Sequence, residues 1–110
     1  MKRGEVWWAE LPPPVGRRPV LLLSRDASYG LRTLVTVAMI TRTIRSIPSE
    51  VVIGKEDGMP EKSVVNLDNI LTIPVLSLTE RITELNFEKM EAVDRAIVFA
   101  IDVKCEPVPH

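Results

Sequence analysis

Polar and apolar positions alternate through residues 3–11, Arg-Gly-Glu-Val-Trp-Trp-Ala-Glu-Leu, with Val6 and Trp8 on one side and Glu5 and Trp7 on the other. A period of two predicts a half-buried strand with at least one Trp in the core. Pro12-Pro13-Pro14 ends it in a stiff loop. Residues 18–24 are apolar on both faces after Pro19, so a second strand is expected through the centre of the sheet. Pro at a strand start loses no ladder bond and fixes the direction of the chain. Residues 25–32, with Asp26 and Gly30, read as a loop or a single helical turn. Residues 34–40 form a third strand rich in β-branched side chains, leading into Thr41-Arg42-Thr43 and a basic loop up to Pro48.

Residues 50–53 give a fourth strand and 54–60 an acidic turn containing Gly. Residues 63–66 and 69–73 read as two short strands around Leu67-Asp68, stopped by Pro74. The period then changes: Phe87, Met90, Val93, Ile97 and Ile101 recur at three and four residues, with acidic side chains between them. This predicts an amphipathic helix with Asn86 as its N-cap. Strands at this spacing build a small antiparallel barrel, so the fold class is mainly β with helices.

The 110 residues make one domain, 1–110, whose tail at 104–110 is expected to be disordered. No apolar run approaches the roughly 18 residues of a membrane span, and Met1-Lys2-Arg3 leads into Gly and Glu instead of an apolar signal segment. The expected location is the cytoplasm, with no membrane partner. The single Cys105 leaves no intrachain disulfide and no thiolate zinc site.

Net charge is −1, but residues 1–55 carry nine basic side chains against four acidic ones, while residues 56–110 carry five against eleven. Either the halves interleave in space and cancel, or the first half forms a basic face for a polyanion or an acidic partner. Seven of the nine basic residues are Arg, which favours phosphate recognition.

The only His is His110, in a terminal segment, so no Ser-His-Asp triad or two-His ribonuclease site is expected. Nucleotide-binding Gly motifs are absent, and the acidic residues fall on a helix face and a turn; neither a cofactor nor a metal is expected. Chemistry would then rest on Arg, Thr, Ser and backbone groups. Arg18, held at the mouth of a stiff strand before Pro19, is either an ion-pair partner or a grip for an anion. Thr41, at the end of the third strand, is either a β-branched strand residue or a second group on the same rim. Charge stabilisation without proton bookkeeping suits RNA, which supplies its own nucleophile in the 2′-hydroxyl.

The order R-G-E-V-W-W, G-R-R-P-V-L-L-L-S-R-D, V-A-M-I-T, I-P-S-E-V, N-L-D-N-I-L-T-I and an acidic final helix, over residues 2–103, resembles the MazF/PemK family of toxin endoribonucleases. The resemblance implies an SH3-like β-barrel closed by a C-terminal α-helix, and a homodimer. It also implies metal-independent cleavage of single-stranded RNA to 2′,3′-cyclic phosphate and 5′-hydroxyl ends, and neutralisation by a cognate MazE-like antitoxin. By position, Arg18 matches the family's catalytic arginine and Thr41 its catalytic threonine or serine. Arg17, Arg42, Arg45 and Asn69 are the expected RNA-binding residues, Arg42 and Arg45 as phosphate contacts and Asn69 as a reader of a base edge. The loop before Arg18 departs from the family by being short. Two other classes remain open at this point: a CcdB-like non-catalytic inhibitor of DNA gyrase on the same barrel, and a non-catalytic nucleic-acid-binding module.

Overall fold

The computed structural model describes residues 1–25 and 33–102. The expected turn in 26–32, Cys105, His110 and the tail 104–110 lie outside the described residues. Six strands and one helix follow in order: β1 (Glu5–Glu10), β2 (Arg17–Leu22), β3 (Leu34–Thr41), β4 (Glu50–Ile53), β5 (Ser63–Pro74), β6 (Leu78–Glu84) and α1 (Phe87–Ala100). All strand pairs are antiparallel, in one sheet of order β4-β5-β3-β2-β1-β6. The sheet curls into a half-barrel.

Its two faces bury separate cores. Val6, Leu21, Ala38, Ile40, Ile53, Val65 and Leu67 pack with Val93 and Ala96 of α1, while Ala9, Val20, Leu22, Val35, Val37 and Ile73 pack on the other side. Successive residues of β2 therefore enter different cores, which is why that strand carries no polar position after Arg18. At roughly 25 cal/mol per Å² of apolar surface removed from water, each fully buried Leu, Ile or Val stabilises the fold by about 2 kcal/mol. The side chain of Asn86 accepts a hydrogen bond from the amide of Lys89 at 2.8 Å and so caps α1.

The open side of the half-barrel is closed by the turn after β4. A 3-10 turn at Lys55–Asp57 carries the chain over β6, where the Thr83 hydroxyl donates to the Asp57 carbonyl at 2.8 Å. Met59 then enters the helix-side core.

Four expectations need correction. The two short strands around Leu67-Asp68 are one strand, β5, because both halves pair with β3; the register jumps between Ala38 opposite Ile70 and Met39 opposite Asn66, and residues 67–69 bulge out. The segment Leu78–Glu84, unread in the sequence, is edge strand β6 on β1. Its alternation is of Thr and charged residues, because most of it faces solvent. Phe87 and Ile101, placed on the buried face of the helix, are 78% and 58% exposed, since only the central turns lie against the sheet. Neither Trp is fully buried: the indole of Trp7 donates to Glu5 at 3.0 Å, and that of Trp8 lies under Arg17.

Candidate functional site

The register of β2 on β3 sets Val20 opposite Met39 and Leu21 opposite Ala38. Continued two residues towards the strand mouth, it brings Arg18 level with Thr41. Alternation along each strand then puts both on the face of Val20, Leu22 and Val37. Arg17 takes the opposite face of β2, that of Leu21.

Two depressions meet at this rim, sharing Arg18, Ile40, Thr41 and Thr43. One, of about 660 Å³, is walled by Leu11, Pro14, Val15, Met39, Arg45, Asn66, Asn69 and Leu71. The other, of about 700 Å³, is walled by Trp8, Arg17, Pro19, Arg42, Met59, Pro60, Glu61 and Ser63. All six residues singled out from the sequence, Arg17, Arg18, Thr41, Arg42, Arg45 and Asn69, line one or both. A chain crossing the rim would place a central group at Arg18 and Thr41, with neighbours on either side.

The charges at the rim are not equivalent. Arg17 lies 3.8 Å from Glu10 and 3.6 Å from Glu80, Arg42 is 2.6 Å from Glu61, and Arg45 is 3.1 Å from Glu50. Halves of the chain thus interleave through pairs such as Arg42–Glu61 and Arg17–Glu80, so the basic half is not one uninterrupted positive face. Arg18 differs: among the described residues its side chain has no carboxylate partner and no hydrogen bond. It is exposed, and an incoming anion need displace no ion pair to reach it. The Thr41 oxygen accepts from the Thr43 amide at 3.3 Å, which leaves its own proton to donate outward.

The wall carrying Arg45 and Asn69 is held from below. The Glu50 side chain, 2% exposed, accepts from the amides of Arg45 and Ser46 at 2.9 and 3.1 Å and from the Arg45 guanidinium at 3.1 Å. Ser49 donates to Asp68 at 2.5 Å, and the amide of Leu67 donates to the Ser49 carbonyl at 2.9 Å. The loop after β3 and the β5 bulge are thereby one unit. Sequence reasoning missed this unit, along with Trp8, Thr43 and Asn66: the Glu50 contacts to Arg45 and Ser46 lie across one irregular loop with no periodicity to read, and the link from Ser49 to Asp68 joins separate segments; the one local signal was the acidic Glu50 at the start of an apolar strand.

Burial raises the pKa of Glu50, but the amides and the guanidinium of Arg45 outweigh it and hold the carboxyl below its ordinary 4.5. Glu5 shows the same balance: burial raises it, and hydrogen bonds from Trp7, Lys2 and Arg81 bring it below the ordinary value. A lowered carboxylate contributes stability that is complete above its unfolded pKa and lost as pH falls through the folded one. Stability measured by urea denaturation is therefore expected to hold from pH 7 to about 5 and to decline below the ordinary carboxylate range. The decline should be shallower in Glu50→Gln; an identical acid limb in that variant would remove Glu50 from the account.

Among the described residues no group of three His, Cys, Asp or Glu is placed to hold a metal ion, and no helix is long and apolar enough to cross a membrane.

Comparison with known proteins places these features in context. Residues 2–101 match the family model of the PemK-like, MazF-like toxins of type II toxin–antitoxin systems. The chain is 43% identical over 101 residues to the probable endoribonuclease MazF5 of Mycobacterium tuberculosis, covering 91% of this chain and 92% of that protein. Among solved structures it is similar to the Mycobacterium tuberculosis toxin MazF-mt6, with 37% identity, 91% and 98% coverage and a TM-score of 0.84. It is also similar to a mycobacterial endoribonuclease in complex with its cognate antitoxin, at 28% identity, 99% coverage of both chains and a TM-score of 0.84.

Proposed function

From the premise that this chain belongs to the PemK-like, MazF-like toxins of type II toxin–antitoxin systems, we propose that it cleaves single-stranded mRNA at the Arg18–Thr41 rim and is neutralised by a cognate antitoxin. Relatives named as endoribonucleases favour this over a gyrase inhibitor or a passive binding module. The observation that supports the site assignment is an exposed Arg18 guanidinium, without a partner among the described residues, that lines both depressions together with Thr41.

The 2′-oxygen attacks the adjacent phosphorus, the bond to the 5′-oxygen breaks, and a 2′,3′-cyclic phosphate and a 5′-hydroxyl result. The proton lost from the 2′-hydroxyl is matched by one gained on the departing 5′-oxygen. Negative charge builds on the nonbridging oxygens in the transition state. Arg18 is a bidentate donor for those oxygens and Thr41 a single donor, both presented at the rim. In-line attack needs a splayed backbone, so a duplex is a poor substrate. Arg42 and Arg45 contact flanking phosphates and Asn69 a base edge, without a metal or cofactor.

An acidic antitoxin segment would compete with RNA for this rim, and access to mRNA places the protein in the cytoplasm. Its active form is a homodimer; Leu34 and Leu76, 51% and 95% exposed at one end of the sheet, are apolar surface of the kind a second copy covers.

The test is incubation of the purified protein with a long RNA in EDTA, followed by mapping of the new ends. Cleavage at discrete single-stranded sites with cyclic-phosphate and 5′-hydroxyl termini is expected. Activity that disappears in EDTA and returns with magnesium would overturn the mechanism.

A further inference from the structure

The second depression contains a feature that charge and hydrogen bonding do not explain. The Arg17 guanidinium carbon lies over the Trp8 ring, 4.4 Å from its centroid, in a cation–π contact with the indole. Arg17 is the first residue of β2 and Trp8 lies in β1; their strands pair with Glu10 opposite Arg17 and Pro19 opposite Trp8. Arg17 and Trp8 are thus diagonal neighbours on one face, and β6 supports the floor where the Thr79 hydroxyl donates to the Trp8 carbonyl at 3.3 Å.

Arg17 is not held there by its carboxylates. Glu10 at 3.8 Å and Glu80 at 3.6 Å are beyond hydrogen-bond distance, and both are more than half exposed, so these pairs contribute little. The indole beneath it limits where the guanidinium can swing. Half of the Arg17 side chain remains exposed, and both residues line the depression that begins at Arg18 and Thr41.

A guanidinium with one face on an indole offers its other face to a flat, electron-rich partner. Unstacked nucleobases are such partners, and single-stranded RNA presents them on planar Arg groups as well as on aromatic rings. We infer that Arg17 on Trp8 is a stacking subsite for the nucleobase beside the scissile phosphate, on the side of the rim opposite Asn66 and Asn69. Because every base has a π-face, the subsite adds affinity and alignment with little sequence preference; discrimination belongs to the amides across the rim. It makes Arg17 a base contact and Trp8, whose indole carries the cation, a positioning residue. This inference rests on the RNA-cleaving reading of the same site.

The experiment uses a single-stranded RNA oligonucleotide spanning a mapped cleavage site, blocked by 2′-O-methylation at the attacking ribose. A series of such probes carries one abasic nucleotide at each position near the blocked phosphate. In wild type, one abasic position next to that phosphate, on the side away from the position that depends on Asn69, should weaken binding about tenfold. Arg17→Lys keeps the charge but has no planar face; it should bind the intact probe about tenfold more weakly and show no further loss at that abasic position. Trp8→Ala should behave similarly, and in a Trp7→Phe background the fluorescence of Trp8 should change on binding the intact probe but not the abasic one.

If Arg17→Lys binds every probe as wild type does, or keeps the full abasic penalty, the subsite is wrong while RNA cleavage stands. Should wild type neither cleave RNA nor bind the blocked probe, the functional reading fails and the subsite with it.

Discussion

Arg18→Ala is expected to lower the rate of RNA cleavage at least a hundredfold while leaving the fold and its melting temperature unchanged. The two halves of that expectation have separate grounds. Among the described residues the Arg18 side chain is exposed and holds no carboxylate or carbonyl of the protein, so its removal breaks no internal contact. Its proposed role lies in the reaction, where a donor to developing charge typically contributes about 3–4 kcal/mol to transition-state stabilisation. Single-turnover cleavage at saturating protein reads the chemical step. Arg18→Lys should recover only a small part of the rate, because an ammonium brings charge without the two-pronged fork. Wild-type cleavage by Arg18→Ala would reject the assignment and move it to Arg17, whose guanidinium is otherwise committed to Trp8.

Gly58→Ala is expected to give the largest loss of stability of any single methyl addition in the described chain. Gly58 follows the 3-10 turn that closes the half-barrel, with φ at +86°, in the left-handed region that side chains rarely adopt. A Cβ there would also sit 2.9 Å from the Cβ of Thr83 and closer still to its hydroxyl, the group that donates to Asp57 and joins the turn to β6. Thr83 is β-branched and fixed in a strand, so it cannot swing away. Left-handed strain of about 1–3 kcal/mol adds to the clash, for a fall in melting temperature of roughly 10 °C or more. Thr83→Ala alone loses the hydrogen bond, but combined with Gly58→Ala it should cost less than the two changes added, since it removes the closest part of the clash, the hydroxyl, and leaves only the Cβ contact. Strict additivity in that thermal-denaturation cycle would show that the turn relaxes without meeting Thr83.

Strand β4 was legible with its observed bounds, Glu50–Ile53, because the five residues between Pro48 and Gly54 allow few alternatives. Strand β2 announced itself as central, since only a strand buried on both faces is apolar at successive positions. The cap at Asn86 and the inward positions Met90, Val93 and Ile97 were equally local signals. Strand β6 was not legible: Leu-Thr-Glu-Arg-Ile-Thr-Glu has a weak apolar pattern because an edge strand gains its order from backbone bonds to β1. The continuity of β5 was hidden for a related reason, as a bulge looks like a break until the shared partner β3 is seen.

The sequence by itself determined the residue types of the candidate site, Arg, Thr and Asn, and the alternation that put Arg18 and Thr41 at strand ends. Periodicity and composition are properties of neighbours along the chain, and these were enough for the elements and the class of chemistry. Only the tertiary structure decided which cations are engaged. Arg42 meets Glu61, Arg45 meets Glu50 and Arg17 lies on Trp8, while the Arg18 side chain has no partner among the described residues. The physical reason is range: an ion pair or a cation–π contact is fixed by groups within a few ångströms in space, and loop path and strand pairing together decide which groups meet, from Arg45 and Glu50 across one loop to Arg17 and Glu80 in opposite halves of the chain.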